Sequence, residues 1–188
     1  MEKQQKYTIG IDLGGTNTVF GIVDAQGTIV AQDSMKTQAY ETAEAFVEAG
    51  VARLVPLISK VGGLDAIAGM GIGAPNANFY TGAIETAPNI TWAHERTVPL
   101  AKMFSEQLSS LDSRQKEPFP VRITNDANAA AMGEMAYGAA RGMKNFIVIT
   151  LGTGVGSGIV INGQLVYGHD GFAGELGHVT MVRGKEGR

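Results

Sequence analysis

Two stretches of this chain repeat one pattern of apolar and glycine positions. Residues 9–30 read IGIDLGGTNTVFGIVDAQGTIV, and residues 147–166 read IVITLGTGVGSGIVINGQLV. In each, an apolar strand leads through Leu-Gly and a glycine-threonine turn into a second apolar strand, and another glycine turn leads into a third. The repetition predicts two copies of one β-hairpin unit, and therefore two similar lobes that face each other across a cleft.

The segments between the repeats alternate between helix and strand patterns. Residues 41–59 and 98–108 have apolar side chains spaced near 3.6 positions, which predicts two helices. Residues 66–75 predict a buried strand, and the polar, proline-bearing residues 109–120 predict a surface loop. Residues 121–140 then predict a strand, a turn and an alanine-rich helix.

The repeat also predicts the domain organisation. We place the first lobe at residues 1–123 and the start of the second at residues 124–188. A second lobe of similar size needs about as many residues again. We therefore expect the second lobe to be truncated and the 188-residue chain to be inactive on its own.

Composition narrows the class of protein. With 44% hydrophobic and 18% charged residues, the chain is typical of a globular protein that buries a core. A net charge of -3 and the lack of a Lys/Arg-rich run argue against a nucleic-acid partner. With no cysteine, disulfides and thiol-based metal or redox motifs are excluded. We expect a cytoplasmic protein without a membrane partner, because no segment approaches ~20 apolar residues.

The first glycine turn, DLGGTNT, is suited to binding phosphate. A glycine pair between two strands lets successive backbone N–H groups point at an anion, threonine hydroxyls add donors, and Asp12 can hold Mg²⁺ through water. The alternative is a tight hairpin without a ligand. The candidate phosphate-binding residues are Asp12, Gly14, Gly15, Thr16, Asn17 and Thr18.

The second glycine turn, LGTGVGSG, has glycine at every other position from 152 to 158. A strand follows it, so neither the P-loop nor the dinucleotide fingerprint applies, because both need a helix directly after the loop. A glycine-rich turn without a ligand is the alternative here too. However, a triphosphate bound between two lobes needs donors from both sides, and Gly152, Thr153 and Gly154 are the candidates.

Asn125 and Asp126 in TNDANAAA lie where a strand meets a helix. Either residue can serve simply as the helix N-cap. Phosphoryl transfer to an alcohol, however, needs a carboxylate to accept the hydroxyl proton, and a helix N-terminus keeps that carboxylate ionised. Asp126 is the best-placed candidate for this general base.

Four further polar residues are candidates for a sugar site. Glu175 and His178 in HDGFAGELGH share one face if this segment is helical. They could bind sugar hydroxyls, and His178 could bind a metal, although a single histidine is more often structural. Asn76 and Asn89 follow prolines in GIGAPN and APNITW, where they suit hydrogen bonds to a polyol or are ordinary loop asparagines.

Taken together, HDGFAGELGH and LGTGVGSG resemble the ROK group (repressors, open reading frames, kinases) within the actin and hexokinase superfamily. This resemblance implies an actin/hexokinase-like (ribonuclease H-like) α/β fold of duplicated lobes. It implies that the two glycine turns are phosphate loops and that Asp126 is the catalytic base. It further implies that the sugar is bound by Asn125, Glu175 and His178, with Asn76 and Asn89 near it as in ROK glucokinases.

The resemblance also implies cofactors and assembly. ATP and Mg²⁺ are expected, together with a structural Zn²⁺ to which His178 contributes in the full-length protein. The zinc cysteines of the family would begin just after Arg188, so His178 lacks those partners in this chain, and most of the adenosine pocket is missing too. A dimer or tetramer is expected for the full-length protein.

The resulting hypothesis is an enzyme of carbohydrate metabolism, at the entry to glycolysis, that transfers the γ-phosphoryl of ATP to the 6-OH of glucose. Kinases for an N-acetylhexosamine or another hexose are close alternatives. A non-catalytic sugar-binding module and a sugar-responsive repressor are more distant ones. The repressor would need a helix-turn-helix domain ahead of the first glycine turn, and only a few residues precede Ile9.

Overall fold

The computed structural model describes residues 6–112, 117–152 and 154–179. The chain divides into two compact units, Met1–Asp126 and Ala127–Arg188. The strands are β1 (Tyr7–Leu13), β2 (Asn17–Asp24), β3 (Ile29–Lys36), β4 (Ile67–Gly73), β5 (Ala77–Asn78), β6 (Ala83–Glu85), β7 (Thr97–Val98), β8 (Val121–Thr124), β9 (Phe146–Leu151), β10 (Val155–Ile161) and β11 (Gln164–Leu165). The α-helices are α1 (Ala43–Lys60), α2 (Leu100–Ser109) and α3 (Asp126–Ala136), and 3₁₀ helices cover Thr37–Ala39, Leu64–Ala66, Thr91–Ala93 and Leu176–His178.

A five-stranded sheet in the order β3-β2-β1-β4-β8 forms the centre of the first unit. The first three strands are an antiparallel meander, and β4 and β8 lie parallel to β1. Alternate residues of β1 are buried, as period-two patterning requires for a strand with one face against a core. The predicted hairpin unit is thus present, and the parallel strands bring three carboxyl ends to one edge of the sheet.

Helices α1 and α2 supply the other side of this core. Thr42 caps α1 by accepting a hydrogen bond from the Ala45 N–H at 3.2 Å, which satisfies one of the free donors at the helix start. Phe46 on α1 lies 4.7 Å, between ring centroids, from the buried Trp92. Phe104 of α2 packs edge-on against Phe46 at 6.4 Å. The helices predicted over 41–59 and 98–108 are confirmed as α1 and α2, with ends shifted by one or two residues.

A second, small sheet in the order β5-β6-β7 follows β4 in the first unit. Its strands have only two or three residues, so no period could be detected in the sequence. The sheet carries the segment from Asn76 to Asn89. It therefore positions both asparagines that the sequence proposed for the sugar site.

The second unit repeats the meander as β9, β10 and β11, all antiparallel. Helix α3, which follows β8 after Asn125, packs on this sheet through Ala127 and Ala131, which lie beside Gly156 and Gly158 of β10. The predicted strand, turn and helix over 121–140 are confirmed as β8 and α3. In the described residues, no helix is both long and apolar enough to cross a membrane.

Candidate active site

The carboxyl ends of β1, β4 and β8 form one edge of the large sheet. Asp12 of β1 pairs in register with Gly73 of β4, and Gly73 pairs with Thr124 of β8. Because the three strands are parallel, the residues that follow them leave the sheet at the same edge. Asn125 and Asp126 follow β8 directly, so the structure brings Asp126 to the same edge as Asp12.

The electrostatics of Asp12 reflect its place at this sheet edge. Partial burial among the strand ends, and then the negative charge of Asp126, raise the pKa of Asp12 above its ordinary value. The Asp12 side chain is still reached by solvent, so its hydration is reduced and not lost. A pair of carboxylates in such a place is a hard oxygen ligand set of the kind that Mg²⁺ prefers. The residues present therefore fit a magnesium ion.

The first glycine turn connects β1 to β2 beside Asp12. The Gly14 N–H donates to the Asn17 carbonyl at 3.0 Å, which closes the turn, while Thr16 and Asn17 are exposed. Thr18 differs from the expectation that it contacts phosphate. Its side chain is fully buried, and its hydroxyl is hydrogen-bonded at 2.8 Å to the hydroxyl of Thr37.

Thr37 is a residue of this site that the sequence analysis missed. Its hydroxyl donates to the Gly14 carbonyl at 2.7 Å, and its N–H donates to the Thr16 carbonyl at 2.9 Å. Thr37 and Thr18 thus hold the glycine turn from the core side. The sequence around Thr37, MKTQA, has no motif that would have revealed this contact across 23 positions.

Asn76 lies in the loop after β4 with a left-handed backbone, at a φ of 51°. Its side-chain amide donates to the carbonyls of Thr86 at 3.0 Å and Glu85 at 3.3 Å. The amide nitrogen is therefore engaged in holding the chain that leads to Asn89. Asn89 is exposed, and it lies against Gly15 of the first glycine turn.

The second glycine turn joins β9 to β10. Leu151 pairs with Val155, and the Gly152 N–H donates to the Gly154 carbonyl at 3.0 Å, so Gly152 and Gly154 lie in the turn itself. Thr153 lies outside the described residues. Gly156 and Gly158 are part of β10, where a Cβ would lie 2.9 Å from Ala127 Cβ and 2.5 Å from Ala131 Cβ. These two glycines allow a strand and a helix to pack closely, a role the alternating pattern did not distinguish from ligand binding.

Glu175 and His178 are close together, although not on an α-helix. Glu175 immediately precedes the 3₁₀ helix Leu176–His178, and its Oε2 lies 3.8 Å from Nε2 of His178. The Ser157 hydroxyl donates to the Gly174 carbonyl and ties this segment to β10. Within residues 6–112, 117–152 and 154–179, no group of three His, Cys, Asp or Glu side chains is placed to hold a metal. The zinc expected at His178 in the full-length protein is therefore not shown by the described residues.

The chain has relatives among known proteins. It matches the ROK family over residues 8–187. It is 40% identical to the glucokinase of Streptomyces coelicolor over 176 residues, which are 93% of this chain and 50% of that protein. It is 32% identical to the xylose repressor of Bacillus subtilis over 181 residues, which are 95% of this chain and 44% of the repressor.

A solved structure extends the comparison to the fold. The ROK family glucokinase from Streptomyces griseus, crystallised in complex with glucose and AMPPNP, superposes with a TM-score of 0.75 at 37% identity, over 94% of this chain and 51% of that one. The chain thus spans about half the length of the relatives it matches. Because the family match covers nearly the whole chain, the protein belongs to the ROK family and has the α/β fold that its sugar kinases share with actin and hexokinase.

Proposed function

We propose that the full-length protein is an ATP-dependent hexose kinase. The observation that carries the proposal is the placement of Asp12 and Asp126 at one sheet edge, where burial and then the charge of Asp126 raise the pKa of Asp12. Next to this pair lie the first glycine turn and the loop that bears Asn89. One site therefore offers a carboxylate base, a second carboxylate for a cation, backbone donors and an amide side chain.

In this proposal Asp126 accepts the proton of the sugar hydroxyl. Its side chain is exposed, so a substrate can reach it, and it lies in the first turn of α3. A carboxylate oxygen is the kind of proton acceptor that general-base catalysis on an alcohol needs. Asn125, the preceding residue, is proposed to bind a neighbouring hydroxyl of the same sugar.

Asp12 is proposed to hold Mg²⁺, through a water molecule, at the same sheet edge. When bound, the ion would neutralise charge on the transferred phosphoryl group. A cation here would also offset the repulsion between the two carboxylates. Because the N–H of Gly14 is used within the turn, we propose that Gly15 and Thr16 supply the phosphate donors, with Asn17 beside them. We propose that Gly152, Thr153 and Gly154 donate to the phosphates in the same way.

The identity of the sugar rests on the relatives. The Streptomyces coelicolor protein, at 40% identity, and the Streptomyces griseus structure, at 37% sequence identity, are both named glucokinases. These names favour glucose as the substrate and its 6-OH as the acceptor. Glu175 and His178, held 3.8 Å apart, are proposed to bind further hydroxyls. An N-acetylhexosamine or another hexose is the alternative substrate, since amides, a carboxylate and an imidazole bind many polyols.

A sugar-responsive regulator is the second candidate, because the xylose repressor of Bacillus subtilis matches 95% of this chain. Both functions are tested on the full-length gene product with a panel of glucose, mannose, N-acetylglucosamine, N-acetylmannosamine and xylose. ATP consumption coupled to one hexose supports the kinase. Binding of a sugar without any phosphorylated product contradicts it, and sugar-dependent binding to the promoter of its own operon would instead support the regulator.

A further inference from the structure

The first glycine turn and the loop that carries Asn89 touch each other at one point. A Cβ added to Gly15 would lie 3.0 Å from the carbonyl oxygen of Asn89 and 3.1 Å from its Cβ. These separations are tighter than ordinary van der Waals contact. The first glycine turn therefore lies directly against the main chain of Asn89. A single methyl group at Gly15 would displace Asn89 relative to this turn.

The Asn89 loop is also fixed from its N-terminal side. Thr86 has a φ of 50°, a left-handed conformation that is strained for a β-branched residue. Such strain persists only where neighbouring contacts hold it. Here the amide of Asn76 donates to the carbonyls of both Glu85 and Thr86. These bonds set the direction in which the chain leaves Thr86 for Asn89.

On its C-terminal side the same loop is closed on itself and anchored in the core. The Ala87 N–H donates to the Ala93 carbonyl at 2.9 Å, and the Ile90 N–H donates to the Ala87 carbonyl at 3.1 Å. Trp92 is buried against Phe46. These contacts hold both ends of the loop that carries Asn89.

We infer that Gly15 is a positioning residue that couples the phosphate turn to the sugar site through Asn89. What the two loops bind rests on the proposed function, whereas their mechanical contact does not. The lack of a side chain at Gly15 lets Asn89 sit at the depth that suits the sugar. A change in the position of the turn would therefore move Asn89 and change the affinity for the sugar.

Kinetics of the full-length protein test the inference with Gly15→Ala. The KM for the sugar should rise about tenfold, the effect of ~1.4 kcal/mol, and by a larger factor than the KM for ATP, because alanine keeps the backbone N–H of residue 15. Gly14→Ala is the matched contrast, because its Cβ would meet Asn17 O of the same turn at 3.1 Å and should raise the KM for ATP instead. Gly10→Ala, with nothing within 4 Å, should change neither.

A double-mutant cycle then tests whether Gly15→Ala affects sugar binding through the side chain of Asn89. If Gly15→Ala acts through the Asn89 side chain, its effect on the sugar KM should disappear when Asn89 is already alanine. An undiminished effect in the Asn89→Ala background would overturn the inference. So would a Gly15→Ala protein whose sugar KM is unchanged.

A readout that needs no activity separates this inference from the proposed function. In ¹⁵N-labelled protein without ligands, the amide resonances of Asn89 and Ile90 should shift in Gly15→Ala and stay in place in Gly10→Ala. Unshifted resonances in Gly15→Ala would contradict the contact itself. Failure of the wild-type protein to phosphorylate any sugar, with these resonances shifted, would contradict only the kinase proposal.

Discussion

Strands β1 and β9 carry matching apolar side chains but differ in burial. Ile9, Ile11 and Leu13 of β1 are 0%, 4% and 0% exposed. The corresponding residues of β9, Ile147, Ile149 and Leu151, are 47%, 54% and 81% exposed. The same sequence pattern therefore produced the same strand in both units, while within the described residues its apolar face is covered only in the first unit.

The reason lies in how each meander meets its helix. In the first unit the large residue is on the strand: Phe20 of β2 packs over Gly50 of α1, where an added Cβ would lie 3.4 Å from its ring. In the second unit the small residues are on the strand: β10 has Gly156 and Gly158 at this contact, and Ala127 and Ala131 of α3 pack against them. Since α3 lies on the face of these glycines, it leaves the isoleucines of β9 on the opposite face.

The largest expected effect comes from truncating the paired isoleucines. Ile9→Ala should lower the free energy of unfolding of the first unit by about 2–5 kcal/mol, because it removes buried methyl groups and leaves a cavity. In the 188-residue chain, Ile147→Ala, at the equivalent exposed position, should lower the stability of the second unit by less than about 1 kcal/mol. Urea unfolding followed by Trp92 fluorescence reports the first unit, and hydrogen exchange of β9 and β10 reports the second. Equal losses at both positions would refute the contrast in burial.

Packing against α3 gives the next largest effect. Gly158→Ala would bring a Cβ within 2.8 Å of the Ala127 carbonyl oxygen as well as onto Ala131. Overpacking of this kind costs about 1–3 kcal/mol. Gly133→Ala, on α3 itself with nothing within 4 Å, should instead stabilise the helix by roughly 0.5–1 kcal/mol. Hydrogen exchange of α3 should show opposite changes, and protection that rises in Gly158→Ala would show that the two elements are not in close contact.

The support under the first glycine turn should give a smaller effect. Thr37→Val keeps the size of the side chain but removes its bonds to Gly14 and Thr18, which should cost about 1–2 kcal/mol for two hydrogen bonds. Thr37→Ser retains the hydroxyl and should recover most of that loss. Thermal unfolding measures the stabilities. A Thr37→Val protein as stable as Thr37→Ser would mean that the hydroxyl does not hold the turn.

The protonation of Asp12 should have the smallest effect on stability, and the direction of this effect follows from the raised pKa. Because burial and Asp126 raise this pKa above its ordinary value of 3.8, the folded state holds the proton more tightly than the unfolded state. The stabilising contribution is complete below about pH 3.8 and is lost as pH rises through the folded pKa. Asp12→Asn should therefore gain stability over wild type with rising pH, and the two should converge in acid.

An NMR titration provides the direct check. The carboxyl carbon of Asp12 should titrate above its ordinary range in the wild type, and closer to that range in Asp126→Asn, where only the effect of burial remains. An Asp12 pKa that is the same in both proteins would place the carboxylates too far apart to interact.

Much of the fold followed from periodicity. Alternation and glycine turns predicted both meanders, and 3.6-residue spacing predicted α1 and α2. The small sheet β5-β6-β7 escaped because its strands are too short to show a period. The loop predicted over 109–120 lies partly outside the described residues, and Ser109 proved to be the last residue of α2.

The candidate site was less predictable, because local chemistry does not show which way a side chain points. Asp12 and Asp126 were identified by their places at strand ends, whereas their interaction depends on the register of three parallel strands. Thr18 looked like a ligand yet alternates into the core. The roles of Thr37 and Gly15 depend on contacts with distant residues, which no local motif encodes.

The turnover of Asp126→Asn in the full-length protein tests most directly whether Asp126 takes the proton from the sugar. The variant should bind the sugar within about twofold of wild type, while kcat falls about 10²–10⁴-fold, the usual range for general-base catalysis. Asp33→Asn, an acid-to-amide change on β3 of the same sheet, should keep its kcat. Near wild-type kcat in Asp126→Asn would contradict the account.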